Sequence, residues 1–212
     1  MKKLTLISAL AAIATILSIP SAAQNRSYIK TCGKRTTNIT WSGGKSGDGY
    51  KYTITTGSQK EYFTLNSKKQ TTEWRLVDES KGTDYTVSLS GGIYTFTGKN
   101  KGKEVKKTEK STGLPWYQNI EINGSGVLAG KSNVKFECVR PGNLDVHTMQ
   151  ANDKGVMEVE GFQARLLQAT LIGPFAGMWS CDYYYDAKSG EFVVYKAVEG
   201  GPGTPETKIV RK

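Results

Sequence analysis

Apolar residues recur at every second position along much of this chain. Tyr50, Tyr52 and Ile54 alternate with Lys51, Thr53 and Thr55, Trp74 and Leu76 with Glu73 and Arg75, and Tyr85, Val87 and Leu89 with Asp84, Thr86 and Ser88. Successive side chains on a strand point to opposite faces, so each run has one apolar face and one wet face. That is the pattern of antiparallel strands covered on one side. Enrichment in threonine, tyrosine and valine agrees with it.

Turn chemistry separates the runs. Gly43-Gly44 and Gly47-Asp48-Gly49 precede the first clear strand, and Asn66-Ser67 and Lys81-Gly82 follow later ones. Gly91-Gly92 predicts a tight hairpin joining Tyr85–Leu89 to Ile93–Thr97, because glycine supplies the positive φ such turns need. Arg140-Pro141-Gly142-Asn143 and Ala151-Asn152-Asp153-Lys154-Gly155 read as further turns. The fold expected is mainly β: an antiparallel meander forming a curved half-barrel or open barrel, with few helices. Val156 to Ile172 is the ambiguous stretch. Phe162, Leu166 and Ala169 fit a helical stripe, but the flanks are strand-like and Gly161 suits a bulge, which favours strand.

The stretch Trp179-Ser-Cys-Asp-Tyr-Tyr-Tyr-Asp186 follows the same parity. Trp179, Cys181, Tyr183 and Tyr185 share one face, whereas Asp182, Tyr184 and Asp186 share the other. Gly190 then turns the chain, and Phe192 to Tyr195 return as the partner strand. The tyrosines therefore split across a sheet instead of forming one continuous stack.

The first 24 residues have the form of a secretory leader. Lys2 and Lys3 are followed by an apolar run from Leu4 to Ile19, then Pro20 and the small residues Ser21-Ala22-Ala23. A signal peptide at 1–24, periplasmic or secreted localisation and one β-rich domain over 25–212 are expected. Without Lys2 and Lys3, 27 basic residues face 19 acidic ones. That balance favours anionic partners. Gly98 to Gly113 concentrates it, with Lys99, Lys101, Lys103, Lys106, Lys107 and Lys110 against Glu104 and Glu109. This segment reads as a long loop or hairpin tip able to touch an anionic membrane surface. No aromatic residue interleaves with its lysines, so a nucleic-acid partner is not expected.

Catalytic motifs are incomplete. Gly124-Ser125-Gly126 lacks the glycine two residues before the serine that a nucleophile elbow requires. Ser42-Gly43-Gly44-Lys45-Ser46 resembles half a P-loop, but Ile39 stands where its leading glycine belongs. If the turn at Pro141-Gly142 sets Cys138 opposite Asp145, then His147 lies diagonal to Cys138, a conceivable thiol–imidazole pair with no signature around it. Asp182 and Asp186 give no separation that would identify them as paired carboxylates. Three cysteines, Cys32, Cys138 and Cys181, allow one disulfide in an oxidising compartment, and their spacing does not choose among the three pairings. They match no zinc pattern, and His147 is the only histidine. No enzyme activity, metal or cofactor is expected.

The C-terminal third carries a resemblance. Phe136, Val139-Arg140-Pro141, Leu144, Gly161, Gly173, Met178-Trp179, Tyr183-Tyr184-Tyr185-Asp186, Ser189-Gly190, Val194-Tyr195 and Gly200-Gly201-Pro202-Gly203-Thr204-Pro205 together resemble uncharacterised periplasmic domains of Gram-negative bacteria. Those domains look like the lipoprotein-carrier superfamily. The resemblance implies a curved antiparallel half-barrel whose concave face holds acyl chains. A binding module for a lipid or other hydrophobic ligand is the expected function, with Trp116, Phe136, Trp179, Tyr183 and Tyr185 as candidate liners. The alternative is a structural or protein-interaction β protein of the envelope with no ligand cavity.

Overall fold

The computed structural model describes residues 25–127, 131–173, 179–198 and 203–212, so the leader reading of 1–24 lies outside it. In chain order the strands are β1 (Arg26–Cys32), β2 (Arg35–Ser46), β3 (Gly49–Thr56), β4 (Gln59–Leu65), β5 (Thr71–Asp78), β6 (Thr83–Ser90), β7 (Ile93–Asn100) and β8 (Lys103–Lys110). A short helix α1 (Ile120–Val127) intervenes. Then come β9 (Asn133–Val139), β10 (Val146–Val159), β11 (Phe162–Leu171), β12 (Ser180–Asp186), β13 (Phe192–Val198) and β14 (Glu206–Arg211). Among the described residues these 14 strands form one antiparallel sheet, in the order β8 to β1 and then β14 to β9. The first eight strands meander outward, and the last six meander back until β14 pairs with β1.

The alternation seen in the sequence becomes two faces. Tyr28, Trp41, Phe63, Trp74, Tyr85 and Phe96 from the first half bury against Phe136, Leu167, Tyr185 and Phe192 from the second, in one core. Residues from strands far apart in the sheet meet there because the sheet is rolled. Tyr94 on β7 bonds Glu137 on β9 at 3.0 Å, although those strands stand near opposite ends of the sheet order. The two ends do not pair with each other, and residues 111–118 fill the seam. Glu137 N–H donates to the Pro115 carbonyl at 2.9 Å, Tyr117 N–H to the Glu137 carbonyl at 3.0 Å, and Thr71 N–H to the Trp116 carbonyl at 2.8 Å. The seam segment thus satisfies backbone groups that an open edge at β9 would leave unpaired.

The opposite face of β10–β13 carries a smaller core of Val159, Ala164, Leu166, Tyr184, Val193 and Val194. Tyr183 and Tyr185 pack into the main core and Tyr184 into this one, as strand parity requires. The β10–β11 hairpin turns through Glu160 and Gly161, both at positive φ, and Glu160 reaches Lys196 at 3.1 Å and Lys208 at 3.3 Å.

Two local expectations are corrected. Of the two readings of residues 98–113 the hairpin holds and the long loop does not: Lys101-Gly102 make a two-residue turn at positive φ, and Lys103 to Lys110 form the edge strand β8 paired with β7. Edge strands tolerate charge on both faces, and lysine there discourages pairing with other chains, so the missing apolar alternation hid a strand. Residues 151–155 are no turn between strands. The ladder of β10 with β11 shifts between Asp153 and Val156, and Gly155 N–H bonds the Asp153 carboxylate at 2.9 Å. The turn chemistry is spent on a bulge within one long strand. The ambiguous stretch after Gly161 is strand, β11.

Asp78 closes β5. Its carboxylate accepts from Lys81 at 2.7 Å, Ser80 at 2.6 Å and Ser58 at 3.2 Å, and these bonds, Lys81 first, pull its pKa down to about 2. A carboxyl depressed in the fold stabilises fully above its unfolded pKa, and that contribution fades as pH falls through the folded value. Thermal melts between pH 4.5 and 2 should therefore decline less steeply for Asp78→Asn than for the parent protein.

Candidate functional site

One mouth of the rolled sheet opens into a cleft of about 360 Å³. Its floor is the end of the main core. Trp41 stacks on Phe192 with ring centroids 5.5 Å apart, and Tyr185 meets Phe192 edge-on at 6.0 Å. Helix α1 closes one side through Ile122. Tyr185 anchors that helix by donating its hydroxyl to the Ile120 carbonyl at 2.7 Å. Tyr50 and Tyr52 form the opposite wall. They are two residues apart on β3, so they share a face, and their rings lie nearly parallel at 6.4 Å. Gly43 faces Tyr52 across the ladder, and a Cβ at Gly43 would sit 2.2 Å from the Lys51 carbonyl oxygen. A side chain is thus excluded at Gly43, next to the lining residue Gly44.

Charge comes from segments distant in sequence. Arg26 on β1, Lys45 on β2 and Lys69 in the β4–β5 turn line the cleft together with Glu121 of α1 and Glu191 of the β12–β13 turn. Glu191 serves two guanidiniums, Arg26 at 2.5 Å and Arg211 at 3.0 Å. Lys69 has φ 58°, a left-handed backbone that costs a non-glycine residue about 1 kcal/mol. Two asparagines hold it there. Asn66 Oδ1 accepts from the N–H groups of Lys68 and Gln70, both at 3.0 Å, and the fully buried Asn123 donates its amide to the Lys69 carbonyl. The Lys69 ammonium consequently lies 5.4 Å over the Tyr50 ring. Burial lowers its pKa first, and the Arg26 charge lowers it further. Burial likewise raises the Tyr52 phenol, with Arg26 opposing.

Of the five aromatic liners expected from sequence, Tyr185 lines this cleft. Trp116 and Phe136 are 1% and 0% exposed and belong to the sealed core. Parity points Phe136 inward correctly, but Trp116 and its neighbours in 111–118 fill the interior against it, with Tyr117 5.8 Å from Phe136. Trp179 and Tyr183 are half-buried against the same core, Tyr183 beside Tyr195 at 5.1 Å, away from the cleft.

The lysines of 98–113 do not make one surface. Lys99, Lys106 and Lys110 share the solvent side of the β7–β8 hairpin, with Lys99 3.4 Å from Glu104. Lys107 turns to the other side, 4.7 Å over Phe96 and 3.6 Å from both Glu109 and Asp145. Lys101 sits in the turn and Lys103 opposite Asn100.

The thiol register also differs from expectation. Cys138 stands opposite His147 itself, because the loop after β9 runs from Arg140 to Asp145 and buries Leu144 at positive φ. The Cys138 sulfur faces Gln118, 3.9 Å from its carbonyl, and burial pushes the thiol up to about 12. Cys181 is pushed up to about 12 by the same cause. All three cysteines are free thiols in this structure. Among the described residues no three His, Cys, Asp or Glu side chains gather as a metal site.

Sequence reading missed Arg26, Lys69, Glu121 and Glu191. Tyr50 and Tyr52 were visible as one strand face, whereas Lys45, read as part of a glycine-rich turn, lies in strand β2. Nothing in a linear pattern connects them to residues beyond 120.

No family model and no curated protein matches the sequence. Among solved structures, the chain is similar to a beta-barrel-like protein of the domain of unknown function DUF1849 from Brucella abortus. The TM-score is 0.62 at 10% identity, covering 90% of this chain and 96% of that one. At that identity the likeness shows the fold alone, a curved, barrel-like β-sheet.

Proposed function

We propose that this protein is an exported binding module of the cell envelope, which holds a lipid or other amphiphilic ligand in the cleft at the mouth of its rolled sheet. The observation that carries this reading is the aromatic floor of Trp41, Phe192 and Tyr185, the place where the main core reaches an open cleft. Ligand sites are commonly concave, largely apolar or aromatic, and fixed in orientation by a few polar groups, with volumes from about 300 Å³ upward. The leader-like residues 1–24 and the resemblance to lipoprotein carriers support export and an acyl-bearing ligand. The solvent-facing Lys99, Lys106 and Lys110 would meet an anionic bilayer. A second reading, an interaction protein of the envelope without a ligand, is favoured by the packed interior around Trp116 and Phe136.

Native mass spectrometry of protein purified from its own cell envelope should show a bound mass that organic extraction removes. The stripped protein should change its tryptophan emission when oleate is added, and Trp41→Phe should abolish most of that change. An unliganded mass together with flat emission would favour the second reading.

A further inference from the structure

We infer that the cleft recognises its ligand through an anionic group, a carboxylate, phosphate or sulfate, seated among Arg26, Lys45 and Lys69, with the apolar part of the ligand against the Tyr50–Tyr52 wall. The inference rests on the binding reading above and adds the chemistry of the head.

Three cations from three separate segments converge on one small cleft. The carboxylates there do not balance them. Glu191 is shared between Arg26 and Arg211, so one negative charge answers two guanidiniums. Glu121 is the second carboxylate of the lining. The lining thus carries three cations against two carboxylates, one of which also serves Arg211. Like charges gathered in a half-desolvated place raise one another's cost, and the Arg26 charge that weakens proton binding at Lys69 is a sign of that repulsion. An added anion relieves it. The groups need not be idle for this: an ammonium has three donors and a guanidinium five, so existing bonds leave capacity for a ligand.

The backbone at Lys69 points the same way. A left-handed residue is most easily glycine, yet a lysine stands here, fixed by Asn66 and Asn123 so that its amine enters the cleft. Strain of this kind persists where the surroundings over-determine it, and it clusters at ligand sites. The parallel tyrosines beside it offer a flat apolar wall for whatever carries the anion.

Calorimetric titration of the stripped protein with decanoate, 1-decanol and inorganic phosphate tests this. The first two probes share a chain and differ in charge, and the third has charge without a chain. Decanoate should bind at least about tenfold more tightly than decanol, a difference of about 1.4 kcal/mol. Lys45→Gln and Lys69→Gly should each erase most of that preference by weakening decanoate far more than decanol. Lys69→Gly should also melt no lower than the parent, since glycine accepts the left-handed turn, so a lost preference cannot come from misfolding. Equal affinity for decanoate and decanol, or a preference unchanged in both variants, would overturn the anionic head while leaving the binding module intact. Phosphate binding without either amphiphile would sustain the anion site and overturn the lipid reading. No binding by any probe would overturn both.

Discussion

Glu137→Ala should lower the free energy of unfolding by about 3 kcal/mol, read from urea denaturation. Glu137 is 0% exposed, yet it carries a carboxylate. The carboxylate accepts from the Tyr94 hydroxyl at 3.0 Å, the Ser111 hydroxyl at 2.6 Å and the Thr112 N–H at 2.7 Å. Alanine leaves these three donors without a partner. A buried donor left unsatisfied costs about 1–3 kcal/mol, and water reaching the half-buried Ser111 and the exposed Thr112 recovers part of the sum. Glu137→Gln keeps the shape and one acceptor oxygen and should lose less than half as much. The damage should also be local. Glu137 ties the seam segment to β9 through side chain and backbone together, so amide exchange should accelerate first at Tyr117 and Thr71. Uniform acceleration across the sheet would show that the seam and the sheet unfold as one unit.

Gly124→Ala should cost about 2 kcal/mol, although helix propensity alone assigns the change a gain of about 1 kcal/mol. The added methyl would lie 2.0 Å from the Tyr185 ring. That ring cannot swing away. It is wedged beside Phe192, and its hydroxyl holds the Ile120 carbonyl. Either α1 lifts or Tyr185 leaves its bond, and overpacking of a filled core costs about 1–3 kcal/mol before that bond is counted. Because propensity and packing predict opposite signs, a thermal melt decides between them. A higher melting temperature for the variant would mean that α1 is loosely seated. Tyr185→Phe should cost about 1 kcal/mol, the hydrogen bond alone.

What could be read from the sequence was local parity. Odd and even positions in Tyr183–Tyr185 separate into two cores, and Gly91-Gly92 turns between Ser90 and Ile93 with both glycines at positive φ. Both follow from neighbours in the chain. The β8 strand was invisible because an edge of lysines has no apolar period to detect. The liners Trp116 and Phe136 were misassigned because parity says that a side chain points inward, not whether the interior is full. The roll of the sheet decided that, together with the segment 111–118 that fills the seam and has no strand pattern. The cleft was the least legible feature. Its charges lie on residues 26, 45, 69, 121 and 191, and only the pairing of the first strand with the last brings them to one mouth.

That same pairing has a consequence for how the molecule is made. A chain emerging vector-wise from a ribosome or a translocation pore delivers Thr31 long before Lys208, 177 positions later, whose carbonyl it will bond. Until then one flank of β1 has no neighbour, and the mid-line of the future sheet is its most vulnerable rim. Such long-range closure is slow, and it leaves a sticky nascent intermediate exposed in the interval. Biogenesis of this protein therefore calls for something to shield that rim, a holding chaperone or a rapid passage, until the final strand arrives.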